Sequence, residues 1–556
     1  MDTKFRLALA ALISLLPLLP LAYRLARLQV FEHRSLETKA SGEFSRNAQE
    51  VVPRADILDR KGNILAQSIP VWTAFVDKRM VADIRPLAPR LGRLLGLSTA
   101  EIAKRYSHGG DRVAALRRDL SYEESQAVSQ AKIEGIGIES SQERFYPNGE
   151  LARSLLGQVT SDGRGAAGIE LSLDSRLSRK ARLYKVIHDG SGRVVNRSLE
   201  RDAPAPQPLK LTIDRNLQYI AEEALAEASK QFSATQGIAA IQDPNTGELL
   251  AMAVYPPNPL KNPIVQDTYE PGSTFKVITA VAALDQAVVS EDETFFCENG
   301  SWEVAPGTII HDHEPEGDLT LAGILEHSSN IGAAKIGERL GAARFYRYAR
   351  AFGFASKTSV PLPGETAGQL RPLSESTRVG LAASSYGYGV AVSALQMLSA
   401  YSAIANGGIL YEPRLVKDDA PPAKVRRVAS AKTMERLSRM LEGVVEKGTG
   451  ETARIQGYRV AGKTGTARRI DPMTRKYSTS QYNASFLGFL PASTPRWTIL
   501  VVLENPRGSY YGAQVSAPVF AKIARQLLAL NGVAADKPQA VAIAAASGAA
   551  RPARSH

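Results

Sequence analysis

The chain has 556 residues, room for about two to four domains at roughly 150 residues each, and its 44% hydrophobic and 22% charged residues with 31 Pro and 44 Gly exclude a peptide module, a fibrous protein and a wholly disordered chain. Sixty-eight Lys and Arg against 56 Asp and Glu give a formal charge of +12, which favours anionic surroundings such as lipid headgroups, nucleic acid or acidic polymers without choosing among them. The single cysteine, Cys297, excludes an intrachain disulfide framework and multi-cysteine zinc or iron–sulfur clusters.

Leu7 to Tyr23 is a run of seventeen residues without a charge, bracketed by Lys4 and Arg6 before it and Arg24 and Arg27 after it. That length reaches the lower limit for a bilayer-crossing helix, so the expectation is a cytoplasmic tail over 1–6 and one transmembrane anchor over 7–28. A cleaved signal peptide is the rival, opposed by the length of the run and by arginines where a small-residue cleavage site would stand. Pro17 and Pro20 weaken a continuous helix, although proline is better tolerated in membranes than in water. Basic residues on both sides leave the orientation open by charge alone.

Residues 29–202 carry short apolar runs and turn signals at Arg60-Lys61-Gly62-Asn63, Pro147-Asn148-Gly149 and Asp189-Gly190-Ser191-Gly192, and read as an extended mixed α/β domain. Alternating prolines at 204, 206 and 208 mark a semi-rigid linker over 203–208, and a second domain follows over 209–532. Its patterning predicts a helix over Leu217–Lys230, a hairpin of Gly237–Gln242 and Leu249–Val254, and a mainly helical middle over 271–450. Strands at Tyr458–Ala467, Ala484–Leu490 and Trp497–Leu503 and a closing helix over Val515–Leu530 complete it. The fold class is α/β of the α+β kind, one antiparallel sheet with helices on its faces. Residues 533–556, rich in Ala, Ser, Pro and Arg, are expected to be disordered, and the chain has no evident internal repeat.

Three short motifs carry the chemistry. Ser273 follows a Pro-Gly turn at the start of an apolar helix, and Lys276, three residues on, shares its face. Burial there favours a neutral amine able to take the serine proton, and the helix N-terminus favours negative charge developing at the serine. Ser328-Ser329-Asn330 offers a second hydroxyl to relay a proton and an amide to bind a peptide. Lys463-Thr464-Gly465-Thr466, in a predicted strand, offers a cation, two hydroxyls and a glycine that lets a ligand approach the backbone, suiting an anionic, extended peptide end. The first two motifs have decoys, Ser129-Gln130-Ala131-Lys132 and Ser45-Arg46-Asn47, so the ordered set is what discriminates. His311-Asp312-His313, Cys297 and His327 fall between the first two motifs and could converge on zinc, but their spacing matches no standard zinc pattern, and the expectation is no metal.

Ser-x-x-Lys, Ser-x-Asn and Lys-Thr-Gly in this order resemble the penicillin-recognising serine acyltransferases. The likeness extends to the class B penicillin-binding proteins of the FtsI-like septal kind, from the anchor to about residue 530. It is carried by Arg54–Ala66 (RADILDRKGNILA), Arg144-Phe145-Tyr146-Pro147, Gly168-Ile169-Glu170, Leu211–Asp214, Asp243–Glu248, Tyr269–Lys276, Gly387-Tyr388-Gly389, Ala405–Gly408, Gly448-Thr449-Gly450 and Ala461–Thr466. Ala55, Arg179 and Ala355 stand where the family commonly has glycine.

The resemblance implies a penicillin-binding transpeptidase fold behind an N-terminal pedestal of the dimerisation type. It implies a D,D-transpeptidase that cross-links peptidoglycan stem peptides without a cofactor and is acylated by β-lactams. In that reading Ser273 is the nucleophile, Lys276 its base, Ser328 a proton relay, and Asn330 holds the donor amide. Backbone N–H groups of Ser273 and Thr466 form an oxyanion hole, and Lys463, Thr464, Gly465 and Thr466 receive the carboxylate. Arg54, Asp59 and Arg60 match a pedestal motif with a structural salt-bridge role. Implied partners are stem peptides, lipid-linked precursor strands, β-lactams, the inner membrane, an FtsW-type glycan polymerase and other division proteins, with the catalytic part periplasmic. The rivals are a β-lactamase or carboxypeptidase using the same motifs, and a non-catalytic scaffold or β-lactam sensor. Nucleic-acid binding is poorly supported, because membrane and cell-wall polymers account for the basic charge equally well.

Overall fold

The computed structural model describes residues 2–36, 45–50, 52–178, 182–188, 194–202, 207–471 and 473–537. Most of the expected linker and tail, the Asp189–Gly192 turn and Arg179 lie outside them. The chain divides into two compact units: Met1–Ala55, Ser68–Glu143 and Ser178–Gln207 in one, Asp56–Gln67, Arg144–Leu177 and Pro208–His556 in the other.

In the first unit the apolar run forms two short helices, Thr3–Leu15 and Leu18–Ala26, followed by a π-helical turn Arg27–Phe31. The chain turns at Leu16-Pro17, because Pro17 has no N–H to give the preceding turn and its ring crowds the carbonyl one turn back. The one continuous helix expected over 7–28 is therefore interrupted, and among the described residues no helix is long and apolar enough to cross a membrane. Further on, Ala88–Leu95, Thr99–His108 and Tyr122–Gln130 are helices, the last two opened by capping boxes, Ser98 with Glu101 and Ser121 with Glu124. Their apolar faces share a core of Leu91, Leu95, Ile102 and Val128 with Val76 and Leu116. Ser129 of the decoy motif is exposed at the end of the third helix.

The second unit is built on five antiparallel strands. Helix α1 (Arg215–Gln231), capped by the Asp214 side chain, leads into the hairpin of β1 (Gln236–Gln242) and β2 (Leu249–Tyr255). After a long helical stretch containing α2 (Lys276–Asp285), α3 (Asn330–Leu340), α4 (Ala394–Ala405) and α5 (Ala431–Lys447), the chain returns as β3 (Ala461–Ile470), β4 (Tyr477–Leu490) and β5 (Trp497–Glu504), and closes with α6 (Ala517–Leu530). The strand order is β2-β1-β5-β4-β3. Leu217, Ala221 and Leu225 of α1 and Phe520, Ile523 and Leu527 of α6 join Ala239, Ile241, Ile499 and Val501 in one core. Alternate strand residues point the other way, where α4 packs and Ser402 donates to Gln242 Oε1 at 2.8 Å. Both faces are thus covered, which is why β1, β2 and β5 read as unbroken apolar runs rather than alternating ones. Each fully buried Leu or Ile there contributes about 1.5–3 kcal/mol.

The Asp56–Gln67 stretch is tied into this unit. Asp59, fully buried, accepts the backbone N–H groups of Lys61, Asn63 and Arg215, and Arg60 and Lys417 both pair with Glu248 at 2.9 and 2.7 Å. Ile57-Leu58 pairs in parallel with Leu209-Lys210. The middle of the unit is mainly helical as expected, with three two-stranded antiparallel pairs added, among them the hairpin Ser301–Ala305 with Thr308–His311.

Candidate active site

Gly272–Phe275 forms a 3-10 turn that runs directly into α2, every residue of which from Lys276 to Leu284 is buried. No side of this helix meets water, and apart from Lys276 and Thr279 its buried residues are apolar. Three attachments fix the turn. Gly272 N–H donates to Gly387 O at 3.1 Å, Tyr401 OH of α4 donates to Thr274 O at 2.8 Å, and the edge strand β3 runs alongside. Gly387 has φ +90°, and a Cβ on it would lie 2.0 Å from Gly272 O, so only glycine fits the loop that holds the turn.

Lys276 Nζ donates to Ser273 Oγ at 2.9 Å. It also donates to Ser328 O at 2.5 Å and reaches Ser328 Oγ at 3.2 Å. Lys463, on β3 and fully buried, donates to Ser328 Oγ at 2.9 Å. Ser273, Lys276, Ser328 and Lys463 therefore form one hydrogen-bonded chain, with the Ser328 hydroxyl between two amines. Ser328 is held at φ +60°, a left-handed conformation that costs a non-glycine residue about 1–2 kcal/mol and that here presents both its carbonyl and its hydroxyl to Lys276.

Asn330, Thr464 and Thr466 make their hydrogen bonds elsewhere. Asn330 Nδ2 donates to His311 O at 2.8 Å, Thr464 Oγ1 to Thr449 Oγ1 at 2.9 Å, and Thr466 Oγ1 accepts Gly512 N–H at 3.1 Å. Gly465 leaves room for the Gly272–Phe275 turn: a Cβ on it would lie 3.0 Å from Thr274 Cγ2 and 3.1 Å from Pro271 O. Asp312, Thr449, Tyr401 and Gly387 all support the site, and none of them was assigned that part in the sequence reading. Thr449 and Gly387 lay inside the stretches that carried the family resemblance, Asp312 was weighed only as a zinc ligand, and Tyr401 carried no local signal. Of the residues weighed for zinc, Asp312 is taken up by the Ser329–Ile331 turn, and no group of three His, Cys, Asp or Glu side chains able to hold a metal occurs among the described residues.

Burial pushes the Lys276 ammonium down to about 7, against the opposing pull of Asp312. Burial, and then the neighbouring Lys276, hold Lys463 well below its ordinary value. A base at Lys276 must be neutral, and its neutral fraction grows as pH rises through about 7. The rate of covalent acylation by a penicillin is accordingly expected to climb with pH to a midpoint near 7 and then level off, as measured by stopped-flow acylation across that range. A flat profile would show that Lys276 does not take the proton.

Residues 237–525 match the penicillin binding protein transpeptidase domain, and residues 49–210 the penicillin-binding protein dimerisation domain. The chain is similar to a probable peptidoglycan D,D-transpeptidase, PbpC, of Pseudomonas aeruginosa, with 34% identity over 93% of this chain and 94% of that one. It is 32% identical to the peptidoglycan D,D-transpeptidase FtsI of Escherichia coli, over 93% and 90%. Among solved structures, penicillin binding protein 3 of Mycobacterium tuberculosis complexed with ampicillin superposes with a TM-score of 0.69 at 28% identity, covering 88% of this chain and 97% of that one. The matched stretches span both units and include Ser273, Ser328 and Lys463, and the chain belongs to the class B penicillin-binding proteins.

Proposed function

We propose that the protein is a serine-type peptidoglycan D,D-transpeptidase working through an acyl-enzyme at Ser273. The observation that carries this is the 2.9 Å contact between Ser273 Oγ and a buried Lys276 whose amine is held near 7. The Ser273 proton passes to Lys276 as Oγ bonds to the penultimate D-alanine carbonyl carbon. Backbone N–H groups of Ser273 and Thr466 receive the oxyanion. The carbon–nitrogen bond then breaks, and the proton returns from Lys276 through Ser328 to the leaving D-alanine amine. An amine from a neighbouring stem peptide attacks the ester, passes its proton back along the same path and releases Ser273. Asn330 holds the donor amide, and Lys463, Thr464 and Thr466 hold the terminal carboxylate, whose charge draws Lys463 toward its ammonium form. A β-lactam follows the first half of this course and stops as the ester.

The septal role follows from the FtsI-like resemblance. Membrane attachment is supported by the seventeen uncharged residues from Leu7 to Tyr23, which present Leu7, Ile13, Leu15, Leu19 and Leu21 exposed on the two short helices. In this reading the pair enters the inner membrane with the N-terminus cytoplasmic, the catalytic unit works in the periplasm, and an FtsW-type polymerase meets the anchor and pedestal. The test is to label the full chain with a fluorescent penicillin and follow the ester for hours. A lasting label together with transfer of a stem peptide to an amine acceptor is the expected result, whereas rapid release to water would make the protein a hydrolase.

A further inference from the structure

The triplet His311-Asp312-His313 lies at the end of the hairpin Ser301–Ala305 with Thr308–His311, and its three residues reach three parts of the site. The His311 carbonyl accepts the Asn330 side-chain amide at 2.8 Å. Asp312 is itself fixed by its N–H to Gly300 O at 3.1 Å. Its Oδ2 accepts the Ser329 hydroxyl at 2.5 Å, and its Oδ1 accepts the N–H groups of Asn330 and Ile331 at 2.5 and 3.0 Å. The His313 ring packs on Tyr511 with centroids 5.2 Å apart, and the next residue, Gly512, gives its N–H to Thr466 Oγ1.

One carboxylate therefore gathers the three residues that follow Ser328. The N–H groups of Asn330 and Ile331 have no acceptor within α3 and would be unpaired without Asp312, since the Ser329 oxygen is engaged with the Gly332 N–H. Ser328 occupies a left-handed conformation that a free turn would leave, and the residues on its C-terminal side must be held for it to persist. We propose that Asp312 is the positioning residue of the Ser328–Asn330 turn, and that the triplet acts as a strap joining this turn to the Lys463–Thr466 strand through His313 and Tyr511. Asp312 acts through the neighbouring Ser328, whose hydroxyl lies between Lys276 and Lys463. It has a second effect through charge: Lys276 and Lys463 face each other, and Asp312 is the carboxylate that favours the Lys276 ammonium. Cys297, whose sulfur lies 3.4 Å from Ser329 Oγ, has its thiol pushed up by burial and adds no charge.

This inference rests on Ser328 and Asn330 serving the acyl transfer proposed above. A parent chain that takes no penicillin would overturn that transfer and leave Asp312 undecided by it, so the parent is measured first in the same assay. The test is the rate of penicillin acylation against pH for the full chain, with thermal unfolding alongside, in Asp312→Ala and Asp312→Asn. Asp312→Ala is expected to slow acylation about 100-fold by loosening the turn. Asp312→Asn keeps an acceptor oxygen for the two N–H groups but loses the charge, and is expected to recover to within about tenfold of the parent with its pH midpoint moved to lower pH. A purely structural residue would not move that midpoint. Either of two results overturns the proposal: a folded Asp312→Ala chain acylated within about threefold of the parent rate, or an Asp312→Asn chain with the parental midpoint. If Asp312→Ala does not fold, the midpoint of Asp312→Asn decides.

Discussion

Ser273→Ala is expected to abolish covalent labelling by penicillin, with a loss of at least about 10⁴-fold, while leaving the unfolding temperature within a few degrees of the parent. The alanine fits the same 3-10 turn, which is held from outside by Gly387, Tyr401 and β3 rather than by the serine hydroxyl. Lys276 keeps its bonds to Ser328 O and Oγ, so no buried donor is orphaned. The measurement is in-gel fluorescence over hours with circular dichroism on the same sample. Undiminished label on the alanine variant would place the nucleophile elsewhere.

Lys276→Met is expected to slow acylation by about 10²–10⁴-fold and to raise stability rather than lower it. The two effects have one origin. The folded-state value near 7 lies below the ordinary 10.5, so the unfolded chain binds a proton more readily than the folded one between those values. Lys276 therefore costs stability in full at and below about pH 7, and the cost fades as pH rises toward its ordinary value. Methionine fills similar volume at this buried position of α2 without that cost. The gain in unfolding temperature should be largest near neutral pH and vanish at strongly alkaline pH. A variant that is both slow and less stable would mean that the Lys276 hydrogen bonds outweigh the burial of its charge.

How much of this was legible in the sequence depended on distance along the chain. Ser273 and Lys276 were visible because a helical turn brings residues three apart together. The β1–β2 hairpin and the inward halves of β3, β4 and β5 showed as apolar runs. The outer half of β4, Tyr477–Tyr482, did not, because its mostly exposed residues lack apolar alternation and it is strand only through pairing with the outer end of β3. Asp312 was read as a metal candidate, since a carboxylate between two histidines looks like a ligand. Its partners stand 17 to 19 residues away, beyond the reach of local pattern. The break at Pro17 was signalled by the proline itself, but its outcome was set by helix geometry that hydropathy ignores. Arg144–Leu177 reads as part of the first domain along the chain, yet its contacts lie with the second unit. Ala355, where the resemblance leads one to expect glycine, sits at φ +61°, so a left-handed backbone is adopted here with a methyl group on it.

The strand order has a consequence for how the protein is made. β1 pairs on one side with β2, its immediate successor, and on the other with β5, so that Gln236 lies opposite Glu504. The hairpin that begins the sheet thus emerges during synthesis with one open edge, and its true neighbour is the last strand to be produced. Until that strand arrives, an apolar edge of β1 stands as a template for any other extended segment. Nascent chains that stall before Trp497 are then the ones to need a chaperone, and completion of β5 marks the moment when Ser273, Ser328 and the Lys463 strand share the finished sheet.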